Sequence, residues 1–508
     1  MRRVVLALTL LCTACNDDPK GPSSTAPSVS ALGAAASSSS HPGGGVTMVP
    51  TSTVTAAVVA FERGLEFAFN THEAEAIEQF KKAIALDPKF AIAHAYLGYY
   101  TPDAPGTKEL ELARSLSPTL PEAEWLLIQE LQAVRNGDLG NARALAERRV
   151  HLLPFDWHAR FDLASRLYAE NRLDDAADSL RQAAAFGPAS YPVYNMLGYV
   201  QLKQRKFDAA VATFRRYNEL KPDEPNALDS LAEALLNAGK LEESERAFTK
   251  AAEMQFSYSW SGVAQTRFLR GDVAGGLDAL GKSREAAPRP MDKLDVDGIA
   301  IWATLDRPAD AKKRIDELEK TAQAEKLDEP YALASLYRAV ALIEADSAGD
   351  ALREIAEALH RAEAAALPGG AMNRVRRPAL AWRAIAEARL GRGPDAAKTA
   401  AELDAEARKT PNDSDVQSMA SFGRGLAAFA KGDIDLAVKE LSTCLEDDFL
   451  CRWQLALAQD KQGDKTAASA TRAKLTGANL RDPAYLYVHA KIGPQNPDVA
   501  AKTTAPHP

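Results

Sequence analysis

The sequence predicts an all-α protein, a solenoid of helical hairpins that stack on their neighbours from about residue 54 onward. Three observations support this fold class. Alanine, leucine, glutamate, lysine and arginine dominate this part of the chain, and these residues favour helices. Small residues recur at fixed spacings, about every 34 residues. At 508 residues, the chain also exceeds what one hydrophobic core usually organises, whereas stacked repeats need only their neighbours.

The N-terminal residues 1–14 are typical of an export signal, with two arginines followed by the apolar stretch Val4–Leu11. The small residues that follow resemble the lipobox of bacterial lipoproteins, in which the next cysteine is diacylated and becomes the mature N-terminus. This resemblance implies lipidation at Cys15, although Cys12 stands where that family usually has leucine. The alternative is an ordinary secretory signal with an incidental cysteine.

Low-complexity segments are expected at both ends of the chain. Residues 15–53 are rich in serine, glycine, proline and alanine, and they cannot bury enough apolar surface to offset the entropy of ordering. We therefore predict a disordered tether there, and a disordered tail over residues 493–508.

One spacing rule recurs through residues 54–290. A small residue is followed by a second small one twelve positions later, then by an apolar, a small and often a proline residue, as in Gly64, Ala76, Phe80, Ala83 and Pro88. Further copies begin at Ala164, Gly198, Ala232, Ala264 and Gly425. The pattern resembles the tetratricopeptide repeat family, and the resemblance implies antiparallel helix pairs stacked into a right-handed superhelix.

Helix packing explains the rule. A close crossing of two helices tolerates only small side chains, and a proline ends the second helix because it cannot continue the backbone hydrogen bonds. A Gly-Asp pair recurs between the two predicted helices, for example at Gly271 and Asp272, where glycine stops one helix and aspartate caps the next. Over 291–417 the repeats weaken into irregular helical pairs, and over 418–492 they return.

The family resemblance implies a binding face formed by the first helix of each pair, which grips extended peptides or partner helices. The residues predicted to line it are Phe161, Ser165, Tyr168, Asn195, Tyr199, Lys203, Asp229, Glu233 and Asn237. Their mixture of aromatic, amide and charged groups suits a polypeptide partner. Alternatively, these are ordinary solvated and core positions of the repeats.

One motif points to a different function. Residues 276–283 match GxxxxGKS, the phosphate-binding loop of nucleotide hydrolases, but that loop needs a strand before it and a helix after it. Here the surrounding pattern is helical on both sides. Histidines and cysteines fall at no metal-ligand spacing, and no nucleophile, base and acid stand in a recognisable catalytic order. We predict neither catalytic residues nor a cofactor or metal.

Two cysteines remain in the body of the chain, Cys444 and Cys451. They are expected across a short turn, late in one helix and early in the next. Oxidising conditions outside the cytoplasm favour a disulfide between them. Two free thiols packed in a helix interface are the alternative.

These observations predict a scaffold of the cell envelope that binds other proteins, anchored by lipid to the outer membrane facing the periplasm rather than to the inner membrane. A net charge of −8 without a basic stripe excludes nucleic acid as the expected partner. The rival in the same compartment is a regulator associated with glycan or peptidoglycan. A nucleotide-binding enzyme acting through residues 276–283 is the rival from another class.

Overall fold

The structure is a computed structural model that describes residues 38–40, 46–70, 72–305, 307–411, 413–479 and 482–492. The predicted export signal, Cys15 and the tail 493–508 lie outside these ranges. The all-α solenoid is confirmed, because 25 helices follow one another through the described part of the chain. Two strands of three residues, β1 (Ser38–Ser40) and β2 (Val46–Met48), form an antiparallel pair before the first helix.

The chain divides into two compact units, Met1–Ala234 and Leu235–Pro508. The helices of the first unit are α1 (Thr55–Phe69), α2 (Glu73–Leu86), α3 (Ala91–Tyr100), α4 (Asp103–Leu116), α5 (Glu122–Arg135), α6 (Leu139–Leu152), α7 (Trp157–Ala169), α8 (Leu173–Phe186), α9 (Tyr191–Lys203), α10 (Phe207–Leu220) and most of α11 (Pro225–Asn237). A short 3-10 helix, Ser117–Thr119, follows α4. The division falls inside α11 and not at residue 290, where the sequence pattern weakens.

Consecutive helices pair as predicted, and the small residues of the spacing rule lie where the pairs cross. A Cβ atom added at Gly198 of α9 would lie 2.5 Å from Cζ of Phe214 on α10, and one added at Gly64 would lie 2.5 Å from Cε1 of Phe80. Ala76 and Ala83 beside Phe80 are fully buried. Larger side chains at these crossings would force the helices apart.

The second unit contains the end of α11 and the helices α12 (Leu241–Glu253), α13 (Ser259–Leu269), α14 (Val273–Ala286), α15 (Pro290–Trp302), α16 (Pro308–Ala324), α17 (Asp328–Glu344), α18 (Ala348–Ala364), α19 (Gly369–Arg389), α20 (Gly393–Lys409), α21 (Ser414–Lys431), α22 (Ile434–Ser442), α23 (Phe449–Gln462), α24 (Lys465–Thr476) and α25 (Pro483–Ile492). None of the described helices is both long and apolar enough to cross a membrane.

Longer helices explain why the repeat pattern weakens after residue 290. The regular pairs α7 to α10 have helices of 13 or 14 residues. From α16 to α18 each helix has 17 residues, and α19 has 21. An extra helical turn changes the distance between equivalent small residues, so the fixed period is lost although the hairpins persist.

The turns within the pairs follow the Gly-Asp prediction. Gly271 and Gly432 both have φ of 81°, the left-handed conformation that ends a helix at little cost for glycine. The following Asp272 accepts a hydrogen bond from Gly275 N, and Asp433 accepts one from Leu436 N. Each aspartate thereby satisfies an otherwise unpaired N–H group at a helix start.

The end of the predicted tether differs from the prediction. We call residues 46–52 the N-terminal strap, because they lie against the repeats. Met48 N donates to Asp156 Oδ2 at 2.7 Å, and Thr51 N donates to Glu124 Oε2 at 2.9 Å. Composition alone does not reveal this order, because the strap gains its hydrogen bonds from carboxylates far along the chain.

Candidate protein-binding groove

The predicted groove residues lie on three successive first helices, α7, α9 and α11. Contacts join them from one helix to the next. Tyr199 and Ser230 hydroxyls lie 3.1 Å apart, and Ser230 Oγ donates to Asn195 Oδ1 at 3.4 Å. Ser165 Oγ lies 3.4 Å from Met196 Sδ. The structure thus brings these side chains together around Ser230 and Met196, two buried residues that the sequence pattern missed.

A cation lies over an aromatic ring beside this network. The ammonium nitrogen of Lys203 lies 4.8 Å from the centre of the Tyr168 ring, and Lys203 itself is exposed. Burial raises the pKa of Tyr168, and the negative charge of Glu233 adds to the shift. We call Tyr168, Asn195, Tyr199, Lys203 and Glu233 the polar ladder. It offers donors, acceptors and a π face at successive repeats, as peptide recognition requires.

Ser165, which is 9% exposed, and two further predicted groove residues are buried in the repeats. Asp229 is 1% exposed and Asn237 is 9% exposed. Asn237 belongs to the second compact unit, whereas the other predicted groove residues belong to the first. Both side chains therefore contribute to helix packing and present little surface to a partner.

The upstream end of the predicted groove is covered by the turn between α1 and α2. The ring of Phe69 lies 5.5 Å from that of Phe161, which was predicted to face a partner. Asn70 Nδ2 donates to the Tyr191 hydroxyl at 3.3 Å, and the Tyr217 hydroxyl donates to Asn70 Oδ1 at 3.2 Å. Phe161 is thus an internal contact in this structure.

A buried ionic cluster fixes α7 beneath the groove. Arg166 Nε donates to Glu130 Oε1 at 2.9 Å, and Arg149 pairs with both Glu130 and Asp162. Burial alone would raise the pKa of Asp162, but His158, Arg149 and Arg166 hold it below its usual value. The sequence carried one signal of this cluster, because Arg149 stands where the spacing rule expects a small residue. Removing one partner would leave a buried charge unpaired.

The GxxxxGKS match lies inside a helix. Residues 276–283 belong to α14, and the preceding element is helix α13, so no strand delivers the chain to a phosphate loop. Gly276 and Ser283 are buried against the neighbouring helices. The ammonium nitrogen of Lys282 forms an ion pair with Asp278 Oδ2 at 3.4 Å and lies 4.7 Å from the centre of the Trp260 ring. The backbone N–H groups of this segment bond within the helix and form no cradle.

Cys444 and Cys451 form a disulfide in the structure, with their sulfurs 2.01 Å apart. Cys444 lies just beyond the end of α22 and Cys451 in the first turn of α23. Asp448 lies between them, and its carboxylate and the two sulfurs fall within 4.8 Å of one another. Cys451 N and Ser418 Oγ both donate to that carboxylate. Both sulfurs are thus used in the disulfide and the Asp448 carboxylate accepts hydrogen bonds from the protein, so these three residues form a structural cross-link.

Comparison with known proteins identifies the repeats. The sequence profile of the tetratricopeptide repeat family matches residues 131–191 and 195–255. No curated protein matches the sequence significantly. Similar solved structures include MamA (41-end) from Desulfovibrio magneticus RS-1, with 15% identity over 33% of this chain and 96% of that chain and a TM-score of 0.31.

A second similar structure is YrrB, described as a TPR protein with an unusual peptide-binding site. It has 18% identity over 42% of this chain and 96% of that chain, and a TM-score of 0.29. The two profile matches span helices α5 to α12, which include the polar ladder. The helix pairs, the small-residue crossings and this profile match show that residues 131–191 and 195–255 are tetratricopeptide repeats.

Proposed function

We propose that this chain is a scaffold that binds an extended segment of another protein along the polar ladder and does no catalysis of its own. The observation that carries the proposal is the alignment of Tyr168, Tyr199 and Lys203 with Glu233 on three successive first helices. A peptide lying across these helices meets a new polar contact at every repeat. Repeat solenoids commonly bind partners on such a surface.

The strap supports an extended peptide as the ligand. It is itself an extended segment, and its backbone N–H groups donate to Glu124 of α5 and to Asp156, which precedes α7. Carboxylates on two successive repeats therefore already accept hydrogen bonds from the backbone of one extended segment of this chain. Glu233 is a further carboxylate on a first helix of the same unit, α11.

We further propose that the protein is anchored in the cell envelope by lipid on Cys15, facing the periplasm from the outer membrane. The support is the sequence at residues 1–15 and the low-complexity stretch that follows it. Two acyl chains give stable anchoring, whereas one is marginal. Mass spectrometry of the mature N-terminus should find a diacylated Cys15. An unmodified N-terminus at another residue would remove the anchor from the proposal.

The groove is tested by reversing one exposed charge. A full-length tagged Lys203→Glu variant is cross-linked in cells of the native host, and the captured proteins are identified by mass spectrometry. The matched control is Lys81→Glu, which reverses an exposed charge on α2 whose nearest ion-pair partner is Glu78. We expect the captured partner to fall by roughly tenfold with Lys203→Glu and to be unchanged in the control, because only Lys203 belongs to the ladder.

A second variant, Tyr199→Phe, removes the hydroxyl bonded to Ser230 but keeps the ring that packs on Phe214 at 5.1 Å. It should reduce capture without loss of helical content. Unchanged capture with both ladder variants would exclude the ladder as the binding site. Glycan fragments on the cross-linked site in place of peptides would favour the glycan-associated alternative.

A further inference from the structure

The last helix, α25, lies across the first helices of the second unit. It contacts α13 and α15 as well as its neighbours α23 and α24. Gln265 Nε2 of α13 donates to the backbone oxygen of Asp482 at 3.4 Å, a contact between residues 217 positions apart. A helix that only capped the stack would touch the last pair alone. α25 occupies a groove formed by earlier repeats.

Tyr487 anchors the middle of α25. Its ring lies 6.1 Å from Trp302 of α15 and 5.7 Å from Trp382 of α19, and its hydroxyl donates to Glu344 Oε1 of α17 at 2.5 Å. The side chain is 4% exposed. Tyr487 thus packs between tryptophans of α15 and α19 and donates a hydrogen bond to a carboxylate of α17.

Glu344 is the charged centre of this groove. Its carboxylate also pairs with Lys491 of α25, and Arg389 of α19 lies 3.4 Å from it. The Glu344 side chain is itself 6% exposed. Tyr487 and Lys491 are four residues apart, so they lie on the same side of α25 and reach the same carboxylate.

The other side of α25 is also enclosed. Tyr485, Leu486 and Val488 are buried, and the Tyr485 ring lies 5.6 Å from Phe449 of α23. The Tyr485 hydroxyl donates to Leu475 O at 2.7 Å. Four consecutive buried residues cover most of the circumference of a helix. Protein therefore encloses α25 from Tyr485 to Val488, whereas Ala490 and Lys491 are exposed.

The segment has little stability of its own. α25 has 10 residues, fewer than the roughly 12–15 that an isolated helix needs to be marginally stable in water. Its helical form depends on the groove. Because α25 is tethered to α24, its effective concentration at the groove is on the order of millimolar. A competing helix must bind well enough to displace α25 at that concentration.

We propose that the groove lined by α13, α15, α17, α19 and α23 is a second binding site, for an amphipathic partner helix that carries two aromatic residues two positions apart and a lysine or arginine four positions after the second. α25 is its intramolecular occupant, and the partner helix displaces it. This site lies in the second unit and uses none of the polar ladder. It goes beyond the proposed function, and either proposal can fail alone.

The test uses full-length protein and a fluorescent peptide with the sequence of Asp482–Ile492. The release variant, Tyr487→Ala with Lys491→Ala, removes the two side chains of the tethered helix that reach Glu344 and changes no residue of the groove. The control is Lys474→Ala, an exposed cation on α24 whose side chain is 81% exposed. We expect the release variant to bind the peptide at least roughly tenfold more tightly than wild type and the control, because its own helix no longer competes.

A third variant locates the peptide. Trp382→Ala in the release background removes one wall of the tyrosine site, and peptide affinity should fall back by roughly tenfold. Equal peptide affinities of the wild type and the release variant would overturn the proposal. So would peptide binding that Trp382→Ala leaves unchanged, or a release variant that fails to fold, since a displaceable helix leaves the other repeats intact.

Hydrogen exchange of the wild-type protein provides a measurement that needs no substitution. Amides of α25 should exchange at least roughly tenfold faster than those of α17 and α19, because the helix leaves the groove while the repeats stay folded. Exchange of α25 as slow as that of α17 would make it a permanent part of the core and would overturn the proposal.

Discussion

Two glycines of α14 should respond in opposite ways to replacement by alanine. Gly276 and Gly281 belong to the same helix. A Cβ atom added at Gly276 would lie 2.4 Å from Cε1 of Phe268, whereas one added at Gly281 would have no heavy atom within 4 Å. Both substitutions improve helix propensity, but only Gly276→Ala overpacks a helix crossing. The pair therefore separates packing from propensity.

The magnitudes follow from these two effects. Replacing a glycine inside a helix by alanine stabilises the fold by about 0.5–1 kcal/mol. Overpacking a buried crossing costs about 1–3 kcal/mol. The Phe268 side chain is 8% exposed, so its ring cannot swing into solvent to make room. We expect Gly276→Ala to lower the free energy of unfolding by roughly 0.5–2 kcal/mol and Gly281→Ala to raise it by about 0.5–1 kcal/mol.

Guanidinium unfolding followed by circular dichroism measures the two shifts, and hydrogen exchange assigns them to α13 and α14. Because the chain has two compact units, the exchange measurement identifies which transition has moved. Phe268→Leu in the Gly276→Ala background should recover part of the loss. Shifts of the same sign and size for both glycines would refute the assignment of Gly276 to a close crossing.

Three further predictions concern the cross-link, a buried carboxyl group and a helix cap. Cys444→Ser with Cys451→Ser should lower the free energy of unfolding by about 2 kcal/mol under oxidising conditions, and dithiothreitol should destabilise the wild type but not this variant. Burial raises the pKa of Glu124 above its ordinary value of 4.5, although the N–H of Thr51 opposes the shift. The folded state therefore favours the protonated carboxyl, and the contribution of Glu124 to stability declines as the pH rises above about 4.5 through the folded pKa. Glu124→Gln keeps an acceptor for Thr51, so its advantage over wild type should grow over that interval; a constant difference between pH 4 and 7 would contradict this. Asp433→Ala should cost about 1 kcal/mol in thermal unfolding because Leu436 N loses its acceptor, and an unchanged midpoint would exclude a capping role.

The sequence predicted the local architecture well because the forces that set it act over short separations. The crossing of Gly198 with Phe214 joins residues of one helix pair, and the cap of Asp272 joins residues three positions apart. Contacts of these kinds recur in several repeats, so the residues that make them recur at fixed spacings in the sequence. The same periodic pattern argued against a phosphate-binding loop at residues 276–283, because Gly276, Leu280 and Ser283 fit the repeat spacing of a helix.

The surroundings of the predicted groove residues were only partly evident from the sequence. Asn195, Tyr199 and Lys203 lie on one first helix, α9, as the repeat pattern predicts. It did not reveal that Phe69 covers Phe161, or that Asp229 is buried. The change of compact unit inside α11 left no mark either, since the repeat pattern continues through that helix.

The sequence by itself determined the fold class, the phase of the helix pairs and the places where glycine, proline and aspartate begin and end them. The tertiary structure alone decided what fills the surfaces that the pairs create. The strap reaches Asp156 across 108 positions, and Tyr487 reaches Glu344 across 143. Contacts of this kind occur once in the chain and depend on shape and charge that distant repeats bring together, so no periodic pattern records them.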